Sequence, residues 1–202
     1  IQGDHPVLSS LVSLAFDGRR EALFKKQFFA ALTILSEGHV DIDDFTGSWA
    51  GAMGQSQFMP TSFLSYAVDG DGDGKKDIWS TPEDIFSSIA NFLAKEGWNH
   101  QQTWGRQVKL SDSFDINTLS TYSGLAKEQM QVMLAWSNLG VTKFNGAPLP
   151  GVNVTASLIL PDDTSGRIYL VYNNFHTLMR WNRSLYFGVS VGYLADRIRK
   201  GS

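Results

Sequence analysis

The run Asp69-Gly70-Asp71-Gly72-Asp73-Gly74-Lys75-Lys76-Asp77 constrains this chain more than any other stretch. Carboxylates at alternate positions with glycines between them suit neither an amphipathic helix nor a half-buried strand, so the segment is a loop. Three such carboxylates repel one another unless a cation gathers their oxygens, and glycine at the sixth position permits the sharp turn that this wrapping needs. Asp69, Asp71 and Asp73 are the expected side-chain ligands of Ca²⁺, with Lys75 offering its backbone carbonyl at position seven. An EF-hand closes with a bidentate Glu at position twelve, where this chain has Ser80. The closing carboxylate is therefore sought in the next helix, Asp84 first and Glu83 second. That helix has a well-formed start: Thr81 as N-cap, Pro82 at the first helical position, and two carboxylates at the positive end of the dipole. A bound ion here reads as a structural clamp; the alternative is a solvated Asp/Gly turn.

Around this loop the apolar periodicity predicts helices over 6–16, 21–35, 61–68 and 82–96, with the second broken from the first by Asp17-Gly18. Strands are expected over 106–110, 156–160 and 167–172, the last two joined by the turn Pro161-Asp162-Asp163-Thr164-Ser165-Gly166. A helix is expected over 127–137, and a last one over 185–199 with Val189, Val191, Leu194, Ala195 and Ile198 on its buried side. The fold class is α+β, mainly helical. Composition narrows the function. With 17 basic against 20 acidic residues, the formal charge is −3, which argues against nucleic acid as a partner. An apolar content of 43% supports a core, and no run approaches the ~20 apolar residues of a membrane span. No cysteine is present, so disulfides and thiolate chemistry are excluded. His5, His39, His100 and His176 have no metal-ligand spacing.

A second segment, Gly47-Ser48-Trp49-Ala50-Gly51-Ala52-Met53-Gly54-Gln55-Ser56-Gln57-Phe58-Met59-Pro60, combines small residues with aromatics and neutral amides. Small residues allow close approach of a ligand or another backbone, and the rest suits a sugar, with its hydroxyl rim and C–H faces. Tight helix packing is the other reading of the same composition. The segment closely resembles the signature of the lytic murein transglycosylase B family. The resemblance continues through Tyr66-Ala67-Val68-Asp69, the aspartate loop, Asp77-Ile78-Trp79 and Ile89-Ala90-Asn91-Phe92. It reaches back to Pro6-Val7-Leu8, Leu14-Ala15-Phe16-Asp17 and Arg19-Arg20, and forward to Asn174-Phe175 and Arg180-Trp181-Asn182-Arg183-Ser184.

The resemblance implies a lysozyme-like core over 1–100 and 173–202 with a smaller lobe over about 101–172, forming a single catalytic-type domain that carries a structural Ca²⁺. It implies cleavage of the β-1,4 bond between N-acetylmuramic acid and N-acetylglucosamine in peptidoglycan, with the muramic acid C6 hydroxyl attacking C1 to leave a 1,6-anhydro end. One carboxyl group serves such chemistry, as acid and then as base. In the family it is a Glu in a Glu-Ser/Thr-x-aromatic-Gly motif that aligns just upstream of Ile1. None of Glu21, Glu37, Glu83, Glu96 and Glu128 has that motif around it, so the acid is expected outside these residues. Ser48, Gln57, Phe58, Met59, Phe92, Trp181, Asn182 and Phe187 match the family's sugar-groove positions; Trp181, Phe92 and Phe187 stand where relatives carry Tyr. Arg180 and Arg183 face a choice between muramyl or stem-peptide acids and ordinary surface pairing. The resemblance further implies a monomer in the bacterial periplasm or cell envelope, touching a membrane only through a lipid anchor upstream. Two alternatives remain: a non-catalytic, Ca²⁺-stabilised peptidoglycan-binding domain, and a Ca²⁺-regulated interaction protein.

Overall fold

The computed structural model describes residues 2–201 and divides the chain into two units, 1–95 and 96–202. The first is built on helices. Strand β1 (His5–Pro6) pairs antiparallel with β2 (Thr46–Gly47), His5 opposite Gly47. Between them run α1 (Val7–Phe16) and α2 (Glu21–Ser36), which pack on one another across the 17–20 turn. Helix α3 (Pro60–Tyr66) starts on Pro60, whose fixed φ and missing N–H suit the first helical position. Helix α4 (Pro82–Lys95) follows the aspartate loop, with Glu83 and Asp84 in its first turn.

Phe45, Phe63 and Trp79 form the centre of this unit, with ring centroids 5.9 Å apart for Phe45–Trp79 and 6.1 Å for Phe63–Trp79. Phe63 is fully buried, so truncating it to Ala removes about 3–5 kcal/mol. Gln27, 5% exposed, is satisfied reciprocally: its amide donates to Thr61 Oγ1 at 2.9 Å and its carbonyl accepts from Thr61 N at 3.0 Å. This pins the middle of α2 to the first turn of α3.

The second unit is built on a five-stranded antiparallel sheet in the order β4-β6-β7-β3-β5. Its strands are β3 (Gly105–Leu110), β4 (Gln131–Val132), β5 (Val141–Lys143), β6 (Thr155–Ile159) and β7 (Ile168–Val171). One face carries Ala156, Leu158, Ile168 and Leu170 into a core closed by Trp136, which is fully buried and donates its indole N–H to Ala156 O at 3.0 Å. Helix α5 (Leu119–Tyr122) and helix α6 (Met133–Asn138) belong to that side through Tyr122, Met133 and Trp136. The other face meets helix α7 (Asn173–Trp181), with Ser157 Oγ 3.1 Å from His176 Nε2. Helix α8 (Leu185–Lys200) follows, capped at its start by Ser184 and at its end by Gly201 in the left-handed conformation.

Three expectations need correction. The helix expected over 127–137 is interrupted: a 3₁₀ turn at Lys127–Gln129 gives way to β4, whose Gln131 and Val132 pair with Ala156 and Thr155, and only then does α6 begin. Tertiary strand pairing overrides the local helical pattern. Helix α7 was not expected, because its Asn-Asn start is a poor helix former. Asn174 is fully buried there; its carbonyl accepts from Asn99 N at 2.8 Å and its amide donates to Asn99 O and Gln102 O. Finally, α8 buries Gly188 and Gly192, while Leu194 is 58% and Ile198 71% exposed. The helix approaches by its smallest residues: a Cβ on Gly192 would lie 2.3 Å from the Trp104 ring, and one on Gly188 2.5 Å from Met179 Cε.

Candidate active-site elements and metal loop

Residues 47–60 fold back on themselves. Ser48 Oγ accepts from Ala50 N at 3.3 Å and from Ala52 N at 3.1 Å, while Ser48 N donates to Ala52 O at 2.8 Å. Met53 bridges both Gly47 and Phe58, giving the segment its own small ladder. Gly54 is required on two counts: its φ is +59°, and a Cβ would lie 2.4 Å from Ile78 O. Gln57 takes φ +51° without being glycine, and its amide donates to Gly54 O at 2.9 Å and to Gln2 O at 3.0 Å. A side chain held at positive φ by bonds to its own turn marks a functional candidate.

Of the expected groove residues in this unit, Gln57 is exposed and Ser48 and Met59 are half-buried. Phe58 and Phe92 are not surface walls: they are 3% and 6% exposed, packed ring to ring at 6.0 Å, with Tyr66 4.7 Å from Phe92. They support the segment from behind. The exposed aromatic of the segment is Trp49, at 68%, one of the two flat apolar faces that the segment offers a sugar.

The aspartate loop is held by its own carboxylates. Asp69 accepts from Gly72 N at 2.6 Å and Gly74 N at 2.9 Å, Asp71 from Asp73 N at 3.1 Å, and Asp73 from Lys75 N at 2.7 Å. Asp84 closes the loop from α4: only 1% exposed, it accepts from Gly70 N at 2.7 Å and from Asp77 N at 2.5 Å. Oxygens of Asp69, Asp71 and Asp84 lie within 4.8 Å of one another, a group that can hold a metal ion. Asp73 stands outside that group, as does Glu83, which is exposed on the first turn of α4. The bond from Gly74 N–H holds the Asp69 carboxyl below its ordinary value. For Asp71, the bond from Asp73 N–H pulls down, but partial desolvation and the charges of Asp73 and Asp84 together outweigh it and push the carboxyl up. The donors are hard oxygens brought together against their own repulsion, which suits a cation of the Ca²⁺ type.

In the second unit, Asn182 Oδ1 accepts from Ser184 N at 2.9 Å, shaping the entry to α8. Asn182 is exposed and Trp181 and Phe187 are half-buried. Arg180 is committed to Glu96, Nη1 to Oε2 at 2.6 Å, the surface-pairing alternative of the two considered; Arg183 is exposed. The remaining glutamates are peripheral. Glu21 pairs with Lys25, Glu37 with His39 at 3.3 Å, and Glu83 and Glu128 are exposed. Among the described residues no helix is long and apolar enough to cross a membrane.

Comparison with known proteins gives a consistent result. The family model for the Transglycosylase SLT domain matches residues 1–196. Membrane-bound lytic murein transglycosylase B of Escherichia coli K12 is 31% identical over 200 residues, 98% of this chain and 52% of the relative. The crystal structure of SltB3 from Pseudomonas aeruginosa, in complex with NAG-NAM-pentapeptide, superposes with a TM-score of 0.90 at 42% identity, covering 98% of this chain and 52% of that one. The lytic transglycosylase Slt35 of Escherichia coli, solved in complex with calcium, superposes with a TM-score of 0.81 at 27% identity, covering 100% of this chain and 61% of that one. The chain thus spans about half the length of the curated relative it matches. With the signature turn, the carboxylate loop and the fold in agreement, the chain belongs to the Transglycosylase SLT domain family.

Proposed function

We propose that this chain forms the sugar-binding and metal-stabilised part of a peptidoglycan lytic transglycosylase acting in the bacterial cell envelope. The observation that carries the reading is the signature turn, whose own bonds leave one hydroxyl hydrogen and one amide oxygen unspent. Ser48 Oγ spends its acceptor sites on Ala50 and Ala52, so its hydroxyl hydrogen remains to donate to a sugar or a catalytic carboxyl. Gln57 spends both amide hydrogens on Gln2 and Gly54, so its exposed Oε1 accepts from a sugar hydroxyl or N-acetyl N–H. The exposed Trp49 ring offers a flat face for sugar C–H groups. Asn182 keeps its amide hydrogens for the same substrate class while its oxygen orders the start of α8.

The catalytic carboxyl, on this reading, comes from protein outside these 202 residues. It protonates the glycosidic oxygen as the bond to C1 breaks, then takes the proton of the muramic acid C6 hydroxyl as that oxygen bonds to C1. The products are a free 4-hydroxyl on N-acetylglucosamine and a 1,6-anhydro muramic end, so no water is consumed. One carboxyl suffices, unlike the paired carboxylates of hydrolytic glycosidases. Asp69, Asp71 and Asp84 would hold Ca²⁺, which supplies charge neutralisation and ties the loop to α4.

Mass spectrometry of soluble fragments from purified murein tests the reading. The intact protein is expected to release muropeptides lighter by one water than hydrolysis products. The 202-residue chain alone is expected to sediment with murein and release none. Anhydro products from the chain alone would place the acid inside it and overturn that assignment. Murein binding without products from the intact protein would favour a binding module.

A further inference from the structure

Gln2 meets the signature turn across a sequence separation of 55 residues. Its backbone carbonyl accepts from Gln57 Nε2 at 3.0 Å, and its side-chain amide donates to Trp79 O at 3.0 Å. Trp79 O also accepts from Gln55 Nε2 at 3.0 Å, so both of its lone pairs are taken. Residues 2, 55, 57 and 79 thus form one hydrogen-bonded group inside the first unit.

The direction of the Gln57 amide is settled by its partners. Gly54 O and Gln2 O are both acceptors, so Nε2 must make both contacts and Oε1 is turned the other way. If Gln2 O moved, Gly54 O alone would hold the amide, which could then swing about its broad terminal torsion. Three features keep that carbonyl in place. Gly3 takes φ +86°, and a Cβ on it would lie 2.2 Å from Gly47 O, so the backbone rests directly on the turn. His5 and Pro6 then pair with Gly47 and Thr46. On the other side the Gln2 side chain is braced on Trp79, whose indole N–H donates to Thr46 O at 2.9 Å. Strand pairing alone would tether the segment. It does not require the Gln2 carbonyl to meet the amide of a non-glycine residue held at φ +51°.

We propose that Gln2 is a positioning residue for substrate binding: its carbonyl, braced by its own side chain on Trp79 O, aims Gln57 Oε1 at a hydrogen-bond donor of the sugar. The inference rests on the peptidoglycan reading above and deepens it. With both amide hydrogens of Gln57 spent, the aimed group is an acceptor only. This contact therefore selects a hydroxyl or an N-acetyl N–H and rejects a carbonyl or carboxylate oxygen at the same point.

Gln2→Ala removes the brace but leaves Trp79 O bonded to Gln55, so no acceptor is orphaned and the thermal midpoint should stay close to the parent's. Two measurements on the intact protein test the assignment. In ¹⁵N NMR, the Gln57 side-chain amide hydrogens are expected to shift and to exchange faster with water in Gln2→Ala. In murein digestion, KM should rise about fivefold with kcat little changed, because a contact made alike in ground and transition states is weakened. Gln2→Glu, which keeps the length but offers Trp79 O no N–H, should reproduce both changes. In a Gln57→Ala background, Gln2→Ala should add nothing to KM. An unmoved Gln57 amide, an effect that persists in full in Gln57→Ala protein, or a loss carried by kcat alone overturns the assignment. The amide spectrum needs no substrate, so the two readings fail separately. Cleavage with an unmoved amide sinks this inference and leaves the activity standing; a shifted amide in a protein whose parent releases no anhydro products sinks the activity and leaves the Gln2–Gln57 clamp.

Discussion

Asp84 shows how much one carboxylate can carry. It is nearly fully buried, accepts two backbone N–H groups of the loop, and belongs to the only described group with metal-ligand spacing. Asp84→Asn keeps the shape but turns an N–H₂ toward a backbone donor, costing about 1–3 kcal/mol. Scanning calorimetry is expected to show a lower Tm in the variant and no further loss on chelation, whereas the parent loses Tm when Ca²⁺ is removed. An equal response of parent and variant to chelator would remove Asp84 from the site. Trp49 makes the opposite prediction. Because its ring is largely in solvent, Trp49→Ala should leave the unfolding free energy within about 0.5 kcal/mol of the parent while weakening murein co-sedimentation several-fold. His176 supplies a pH dependence. Burial first, and then the charge of Arg180, hold its folded value below the ordinary 6.5, so the unfolded chain binds the proton more readily. Stability contributed by neutral His176 is present above the unfolded value and is lost as pH falls below about 6.5. Denaturant melts of His176→Gln across that window should be flatter than those of the parent; parallel curves would assign the pH dependence elsewhere.

At the scale of elements, local pattern fixes the structure where its signals agree and misleads where local and tertiary preferences compete. Thr81-Pro82-Glu83-Asp84 announces α4 because the proline and the carboxylates at the dipole's positive end agree, although the Thr81 hydroxyl donates to Asp77. The stretch 127–137 has helical periodicity, yet Gln131 and Val132 complete the edge of a sheet whose partner strand is more than twenty residues away in sequence. On α8, counting apolar side chains selects the wrong face, because contact is made through Gly188 and Gly192 against Phe175, Met179 and Trp104. Gly192→Ala should therefore cost about 1–3 kcal/mol despite its better helix propensity, and Leu194→Ala should be nearly neutral. Equilibrium unfolding of the pair decides it; a stabilised Gly192→Ala would mean that Trp104 can move aside.

For the whole molecule, the chemistry was more legible than the architecture. The signature turn and the aspartate loop are written in contiguous residues, so their identity survives without knowledge of the fold. Burial does not have that property. Phe58 and Phe92 match groove positions in sequence yet face the interior, since only the folded chain brings Tyr66 against them. The division at residue 95 also bears on metal removal. In hydrogen exchange, chelation is expected to raise exchange over residues 69–85 while the β6 and β7 amides keep their protection. Uniform loss across both units would show that the loop's ion stabilises the chain as a whole.

The signature turn makes its own rungs, through Ser48, Met53 and Gln57, and so has no slack. Residue insertion there would destroy the register of every bond that defines it. The turn at Gly146 is the reverse: it is exposed, and the space around its missing side chain is open. An affinity handle or fluorophore for following the protein therefore belongs at Gly146, and any library that varies chain length should leave 47–60 untouched.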